Sequence, residues 1–257
     1  MRAGLVAFAA GDALGSPYEG RRPRELPREK DLHAGETTDD TSQLLHAAAV
    51  LAEAPAAPPQ ELARAFLARL AGDLHERSGP STRAAVERFR ATGAVVAEAG
   101  TTNGTLMRAP AVGWAIADPM RRREVAFALG RATHGWAAAA AGVLVADLAA
   151  WAVEGRVLRH AVADTAEAWY LRPGGIGLGA RDTFEALCNV VHRYDNPSKG
   201  IRAAVKLGGD TDTLAALVGG VLGCRDPWAV DRMRWLDEVA LPEGLDALGE
   251  RLAAVRG

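Results

Sequence analysis

The chain has 257 residues, of which 49% are hydrophobic, 24% charged and only 5% aromatic, and its formal net charge is −2. This composition excludes a disordered or collagen-like chain, and two cysteines are too few for a disulfide scaffold. The balance of 30 basic against 32 acidic residues creates no overall field that would attract nucleic acid or an anionic membrane. Alanine, the strongest helix former, makes up roughly a fifth of the chain, whereas a β-sandwich would need more β-branched and aromatic residues. We therefore predict a soluble, mostly helical globular protein.

The N-terminal ten residues form a short apolar run that could be taken for a signal peptide. Asp12 interrupts the run and no A-x-A cleavage site follows, so we do not expect a targeting segment. No uncharged apolar run reaches the roughly 18 residues that a membrane helix needs. The longest candidate, residues 136–151, is rich in alanine and carries Asp147, which indicates a buried core helix.

Apolar residues recur at helical spacing along most of the chain. Helix starts are indicated at Ser81, Asp118, Asp182 and Asp226, because such residues cap free backbone N–H groups. The predicted helices span 41–53, 59–72, 81–91, 119–132, 136–154, 158–170, 181–193, 198–207, 211–223, 226–236 and 244–255. No alternating strand pattern and no Ser/Gly-rich linker interrupts them. We therefore predict one all-α domain over residues 1–257, in which alanine-rich faces pack closely.

Three segments do not fit the helical pattern. Residues 16–37 form a long, charged, proline-containing loop, and loops of this length in compact domains are often functional. Residues 100–105 are polar and typical of a turn, and residues 172–181 are dense in glycine. The glycine-dense segment follows a helix rather than a strand, so it lacks the context of a dinucleotide-binding loop. It is either a loop that closes over a ligand or a plain helix connector.

Cys188 and Cys224 lie in apolar helical stretches and form no Cys-x-x-Cys pair. We predict that both act as small buried hydrophobic residues. This use of cysteine is typical of a reducing compartment, so a cytoplasmic location is expected.

Two short segments combine aspartates with threonines directly before an apolar helix, residues 37–41 (TTDDT) and 208–213 (GGDTDT). Helix capping needs only one such residue at each site, and adjacent carboxylates repel each other unless a cation neutralises them. Their hard oxygen ligands suit Mg²⁺ or Mn²⁺ rather than zinc. If the segments meet in space, their carboxylates and hydroxyls are sufficient for two bridged divalent ions. From spacing alone, a metal site and simple capping remain equal alternatives.

Five segments, in order, resemble the motifs of the ADP-ribosylglycohydrolase family. They are residues 11–19 (GDALGSPYE), 38–41 (TDDT), 103–110 (NGTLMRAP), 133–135 (THG) and 208–213 (GGDTDT). Each motif alone is weak, but the ordered set is specific; residues after about 225 carry no matching motif. The resemblance implies an all-α, compact multi-helix bundle with a two-metal cleft. It also implies hydrolysis of the glycosidic bond that joins ADP-ribose to an acceptor.

The resemblance further implies roles for individual residues. Two Mg²⁺ ions, with Mn²⁺ as the alternative, would be held by Thr38, Asp39, Asp40, Asp210, Asp212 and Thr213. The implied catalytic residues are Glu19, Asp39 and Asp212, although Glu19 could also be an ordinary loop carboxylate beside Arg21 and Arg22. The implied substrate-binding residues are Asn103, Gly104, Thr105, Met107, His134, Gly177 and Gly179. Of these, residues 103–105 would face the diphosphate, His134 the ribose, and the two later glycines the adenosine end.

Some interpretations stay open. Arg108 is either a phosphate ligand or a structural ion-pair partner, and Tyr18 either stacks on a ring or packs in the core. Thr37 stands where many relatives have an aromatic residue, which leaves the acceptor undetermined.

The expected partners follow from the same resemblance. They are an ADP-ribosylated protein or small molecule, with a nucleic-acid adduct as an alternative that only the locally basic segment 21–30 favours. A non-catalytic binding or immunity protein on the same fold is the remaining alternative. We expect a monomer without membrane attachment.

Overall fold

A computed structural model describes residues 1–256 of the chain. Within this range it contains α-helices joined by loops and short 3₁₀ turns, and only two isolated β-bridges in place of any strand. The prediction of an all-α fold is confirmed. The helices are α1 (Arg2–Gly15), α2 (Asp39–Glu53), α3 (Pro59–Gly72), α4 (Pro80–Thr92), α5 (Gly104–Ala115), α6 (Pro119–Arg131), α7 (Trp136–Val153), α8 (Leu158–Ala161), α9 (Ala163–Ala168), α10 (Ala180–Arg193), α11 (Pro197–Lys206), α12 (Thr211–Gly223), α13 (Pro227–Val230) and α14 (Leu245–Arg256).

Helices α1 and α12 pack against each other in the centre of the fold, and both are buried along nearly their whole length. They approach closely because glycines stand at the contact. A Cβ atom on Gly11 would lie 2.3 Å from the carbonyl oxygen of Ala215, and one on Gly219 would lie 2.1 Å from that of Ala7. This spacing places Asp12, near the end of α1, beside the start of α12. Helix α1 is not among the predicted helices, because its apolar residues cover every face and give no amphipathic pattern.

Helix α7 packs against α5 and α6. It is long and apolar enough to cross a membrane by length and composition alone, and 61% of it is buried inside the fold. Asp147 on this helix accepts hydrogen bonds from Arg122 Nε at 2.8 Å and Arg123 Nε at 2.9 Å. These two ion pairs explain how an acidic residue lies within an alanine-rich core helix.

Several predicted boundaries differ from the structure. The single helix expected at 158–170 is divided into α8 and α9 at Val162, whose backbone leaves the helical region. The helix expected at 226–236 is reduced to α13, with a 3₁₀ turn at Leu236–Glu238. Met233 and Trp235 in this segment are buried, but they lie in turns and not on one face of a helix.

The predicted helix starts are correct at two of four positions. Asp118 accepts a hydrogen bond from Arg121 N at 2.7 Å, and Asp226 accepts one from Ala229 N at 3.0 Å. Ser81 instead lies inside α4, and Asp182 lies in the first turn of α10.

The C-terminal residues, which carry no matching motif, close the fold over α1. Trp235 Nε1 donates to the carbonyl oxygen of Ala10 at 3.0 Å. Arg2 forms ion pairs with Asp231 at 3.1 Å and Asp246 at 2.5 Å. Cys188 is buried as predicted, whereas Cys224 is partly exposed, because it follows the last turn of α12.

Candidate metal centre and substrate cleft

The two acidic segments, more than 160 positions apart in sequence, meet in one cleft. The N-termini of α2 and α12 face each other there, and Thr213 Oγ1 donates to Asp40 Oδ1 at 3.3 Å. Carboxylate oxygens of Asp12, Asp40 and Asp212 lie within 4.8 Å of one another, as do those of Glu19, Asp210 and Asp212. The predicted residues that line the cleft are Glu19, Asp39, Asp40, Asn103, Gly104, Met107, His134, Asp210, Asp212 and Thr213.

Asp12 is the acidic residue of the cluster to which the sequence analysis gave no role. It is fully buried, and its Oδ2 accepts hydrogen bonds from Thr38 N at 2.8 Å, Thr41 N at 3.1 Å and Thr41 Oγ1 at 2.5 Å. It thereby fixes the start of α2, while its Oδ1 has no hydrogen-bond partner in the described part of the chain. The available signal was a carboxylate within the otherwise apolar stretch of α1.

Helix capping explains only part of the two acidic segments. Thr38 caps α2, because its side chain accepts a hydrogen bond from Asp40 N at 3.2 Å. Asp210 is the N-cap residue of α12 but makes no side-chain capping hydrogen bond. Capping therefore accounts for Thr38, and Asp212 Oδ1 accepts a similar hydrogen bond from Thr213 N at 3.0 Å. It does not account for the buried carboxylates of Asp40 and Asp210, whose donors are the side chains of Thr213 and Asn103.

The electrostatics of the cluster are unfavourable without a cation. Burial raises the pKa of Asp12 to about 7, and burial together with repulsion from Asp212 raises the pKa of Asp40 and Asp210 well above the usual range. Asp40 Oδ2, like Asp12 Oδ1, is buried and has no hydrogen-bond partner among residues 1–256. Converging carboxylate oxygens that lack donors suit a hard divalent cation such as Mg²⁺ or Mn²⁺. The residues present therefore fit the predicted metal site.

Glu19 stands at the rim of the cleft and pairs with Arg77, not with the neighbouring Arg21 or Arg22. Arg77 Nη2 also lies 3.9 Å from Asp212 Oδ2. Burial and the charge of Asp212 raise the pKa of Glu19, and Arg77 opposes this shift. Arg77 could not be identified from the sequence, because a single arginine between two helices carries no pattern.

Two consecutive glycines connect three segments around the cleft. Gly208 and Gly209 have φ angles of +71° and +75°, which L-residues with side chains rarely adopt. Gly20 N donates to Gly209 O at 2.8 Å, which holds the loop that carries Glu19. Ile176 N donates to Gly208 O at 2.9 Å, which holds the glycine-dense loop. Substitution of Gly209 would also place a Cβ atom 2.1 Å from Ile176 O.

The glycine-dense loop contributes Leu178 to the cleft. Gly177 and Gly179, the two glycines predicted to bind substrate, do not line the cleft. Gly177 lies in an adjoining groove with Glu19 and Asp210. Gly179 precedes α10 and forms an isolated bridge with Thr102.

The first three residues of the motif at 103–110 have different roles beside the cleft. The side-chain amide of Asn103 donates to Asp210 Oδ2 and, at 2.9 Å, to Thr183 Oγ1, so it holds Asp210 in place. Gly104 leaves room for His134, since a Cβ atom there would lie 2.8 Å from His134 Cε1. Thr105 is buried and donates to Ala138 O at 2.7 Å, so its side chain faces away from the cleft.

Arg108 fits neither of its two predicted roles. It is 1% exposed, does not line the cleft and contacts no carboxylate among residues 1–256. Its guanidinium donates to Gln43 Oε1 at 2.6 Å and to Thr133 Oγ1, and it lies 4.7 Å from the ring centroid of Phe66. Burial lowers the pKa of Arg108 to about 9.

His134 lines the cleft, as predicted. Burial, with a smaller effect from Arg108, lowers the pKa of its imidazole to about 3, so the ring is neutral at pH 7. Tyr18 packs in the core and not in the cleft, and its hydroxyl accepts a hydrogen bond from His33 N at 3.0 Å.

Comparisons with known proteins agree with this architecture. The sequence model of the ADP-ribosylglycohydrolase family matches residues 1–257. An uncharacterized protein from Archaeoglobus fulgidus is 28% identical over 290 residues, covering 96% of this chain and 94% of the relative. A solved structure described as an ADP-ribosylglycohydrolase-related protein complex has a TM-score of 0.82 and 29% identity, covering 100% of this chain and 98% of that one.

Proposed function

Because the chain belongs to the ADP-ribosylglycohydrolase family, we propose that it hydrolyses the glycosidic bond between ADP-ribose and an acceptor, with two Mg²⁺ ions in the acidic cleft. The observation that carries this proposal is the meeting of the two acidic segments around buried carboxylate oxygens without donors. The retained carboxylates argue against the non-catalytic alternative. The monomeric state, the cytoplasmic location and the single-domain extent remain predictions.

The ions would be held by Asp39, Asp40, Asp210, Asp212 and Thr213, which line the cleft. The hydroxyl of Thr38, predicted as a further ligand, caps α2 instead, and Thr38 is not part of the cleft lining. When bound, they would neutralise the carboxylates, orient the ribose hydroxyls and lower the pKa of a bound water. Asp12 supports this set from behind, because it holds the backbone of Thr38 and Thr41 at the start of α2.

Glu19 is the side chain best placed to move a proton. Cleavage at an anomeric carbon passes through an oxocarbenium-like transition state, so the departing acceptor needs a proton and the attacking water must lose one. The raised pKa of Glu19 brings this carboxyl closer to working pH, where a general acid or base is most effective. Arg77 holds the Glu19 carboxylate at the rim and keeps it available as a base.

The test is a release assay on arginine-linked, serine-linked and nucleic-acid-linked ADP-ribose, with Mg²⁺ and with EDTA. We expect one linkage to be cleaved only with Mg²⁺, and Glu19→Gln to reduce kcat roughly 10²–10⁴-fold, which is typical of a positioned acid or base. Glu36→Gln, which changes a loop carboxylate that does not line the cleft, is the matched control. Metal-independent cleavage, or full activity of Glu19→Gln, would contradict the proposal.

A second candidate acceptor is a nucleic acid. A groove lined by Arg22, Arg24 and Arg172 shares Gly174 with the groove that adjoins Glu19. Arg22 and Arg24 form no ion pair within residues 1–256, so both cations are free to contact phosphates. If this candidate is correct, Arg24→Gln raises KM for the nucleic-acid-linked substrate and weakens its salt dependence. The same variant should leave Kd for free ADP-ribose unchanged; an equal weakening of both would exclude the candidate.

A further inference from the structure

Behind the cleft, a chain of hydrogen bonds runs from the buried Arg108 to the cleft wall. We propose that this chain makes Thr102 a hydrogen-bond donor to the substrate, with Arg108 as the positioning residue that sets the donor direction. The inference rests on the proposed function only in its choice of ligand, an acceptor oxygen of ADP-ribose.

The first hydrogen bond in the chain whose donor can be assigned is the one between Arg108 and Thr133. A guanidinium can only donate hydrogen bonds, so Thr133 Oγ1 must accept from Arg108. Thr133 is 1% exposed, and the other polar atom within reach of its hydroxyl is His134 Nδ1, at 2.7 Å. A buried hydroxyl proton without an acceptor is costly, so this proton points at Nδ1. His134 Nδ1 is therefore an acceptor.

The same assignment makes the His134 imidazole the donor in its hydrogen bond with Thr102. A neutral ring whose Nδ1 accepts carries its proton on Nε2. His134 Nε2 lies 2.8 Å from Thr102 Oγ1, so Thr102 must accept this hydrogen bond. The buried cation beside Thr133 also disfavours a second proton on the ring.

Among residues 1–256, Thr102 is left with a hydroxyl proton that has no acceptor, because the hydrogen-bond contact of its hydroxyl there is with His134 Nε2. Thr102 lines the cleft two positions before α5 begins at Gly104. The hydroxyl can thus donate into the cleft, next to the N-terminus of a helix that itself favours an anion. A ligand oxygen with a free lone pair would accept this proton and complete the chain.

Arg108 also determines which end of the Gln43 side-chain amide faces the cleft. Gln43 Oε1 accepts from Arg108 at 2.6 Å, so the amide NH₂ is the group that faces Asp39 Oδ2, at 2.9 Å. One buried cation therefore fixes donors on both walls of the cleft. Burying a guanidinium without a carboxylate partner among residues 1–256 is costly, and hydrophobic packing does not require it. The two hydrogen bonds that Arg108 donates give a reason for its presence in the core.

The first experiment measures the histidine tautomer, independently of any substrate. In ¹⁵N-labelled protein at pH 7, we expect His134 to be neutral with its proton on Nε2. Thr133→Val removes the donor to Nδ1 and moves the Nδ1 resonance, whereas Thr133→Ser preserves the wild-type spectrum. A proton on Nδ1 in the wild type, or an Nδ1 resonance that Thr133→Val leaves in place, would overturn the inference.

The second experiment measures the affinity for free ADP-ribose in the presence of Mg²⁺ by calorimetry. Thr102→Val removes the donor at nearly constant shape and should raise Kd about tenfold, as expected for a lost hydrogen bond to a charged or strongly polar oxygen. Thr102→Ser should bind like the wild type. Wild-type affinity in Thr102→Val would refute the inference while the proposed function stands. If the wild type fails to bind ADP-ribose, the proposed function fails, and the tautomer measurement still decides the donor direction.

Discussion

Substitution of Asp40 by asparagine should have opposite effects on stability with and without divalent metal. Asp40 is 1% exposed, and one of its carboxylate oxygens lies within 4.8 Å of those of Asp12 and Asp212. At an effective dielectric constant of about 20, two unit charges at that separation repel by about 3 kcal/mol. Partial protonation of the cluster relieves part of this repulsion. In EDTA we therefore expect Asp40→Asn to be more stable than the wild type by about 1–3 kcal/mol.

With Mg²⁺ the order should reverse. An ion at about 100 times its Kd stabilises the native wild type by about 2.7 kcal/mol, and the variant, which has lost a ligand, gains much less. For a chain of this length, each kcal/mol corresponds to about 2–4 °C in Tm. We therefore measure Tm of both proteins in EDTA and at increasing Mg²⁺ concentration. The two plots of Tm against Mg²⁺ concentration should cross.

Asp237→Asn, at an exposed position that does not line the cleft, is the matched control and should follow the wild type in both conditions. The reasoning would be refuted by a variant that is less stable than the wild type in EDTA. It would also be refuted by equal stabilisation of both proteins by Mg²⁺, because the cluster would then not be the binding site.

Three further predictions follow from single contacts. Arg77→Gln removes the charge that lowers the pKa of Glu19, so the limb of the pH–rate profile that reports Glu19 should move to higher pH; an unchanged profile would mean that Glu19 does not limit the rate. His134 has a folded-state pKa of about 3, below its ordinary value, so the unfolded chain takes up the proton first and stability falls as pH drops below about 6.5. Between pH 7 and 5 the wild type should lose about 2 kcal/mol more in urea unfolding than His134→Gln, and equal losses would contradict the buried neutral ring. Gly219→Ala should lower Tm by several degrees and weaken Mg²⁺ binding, because it separates α12 from α1, whereas Gly72→Ala, which meets nothing within 4 Å, should leave both unchanged.

The sequence predicted the parts of the site that lie next to each other along the chain. Asp39 and Asp40 at the start of one helix, and Asp210 and Asp212 at the start of another, could be identified because hard oxygen ligands and helix starts both have local signatures. Their convergence could not be derived from spacing, since it depends on how α1 and α12 pack. That packing relies on close glycine contacts such as that of Gly11 with the backbone of α12, which no helical period reveals.

The residues that the sequence missed act through long-range contacts. Asp12 appeared only as an interruption of an apolar run, and its function became visible once its carboxylate was found on the backbone of Thr38. Arg108 was expected to meet an anion, but its partners are the neutral Gln43 and Thr133, which no charge pattern indicates. For the same reason the sequence could name His134 as a cleft residue without indicating its tautomer.

The arrangement of helix termini explains how the fold tolerates so many carboxylates in one place. Helices α2, α4, α5 and α12 all begin at the cleft, and residues of their first turns line it. Each N-terminus carries roughly half a positive charge, and an anion near it gains about 0.3–1 kcal/mol, or up to about 2 kcal/mol when partly buried. Four such termini offset only part of the repulsion among the aspartates, so the cluster still needs a cation. The termini of α4 and α5 also favour an anionic group in the cleft. We therefore expect the same helix starts to hold the acidic cluster and to favour a ligand that carries phosphates, such as the ADP-ribose adduct of the proposed function.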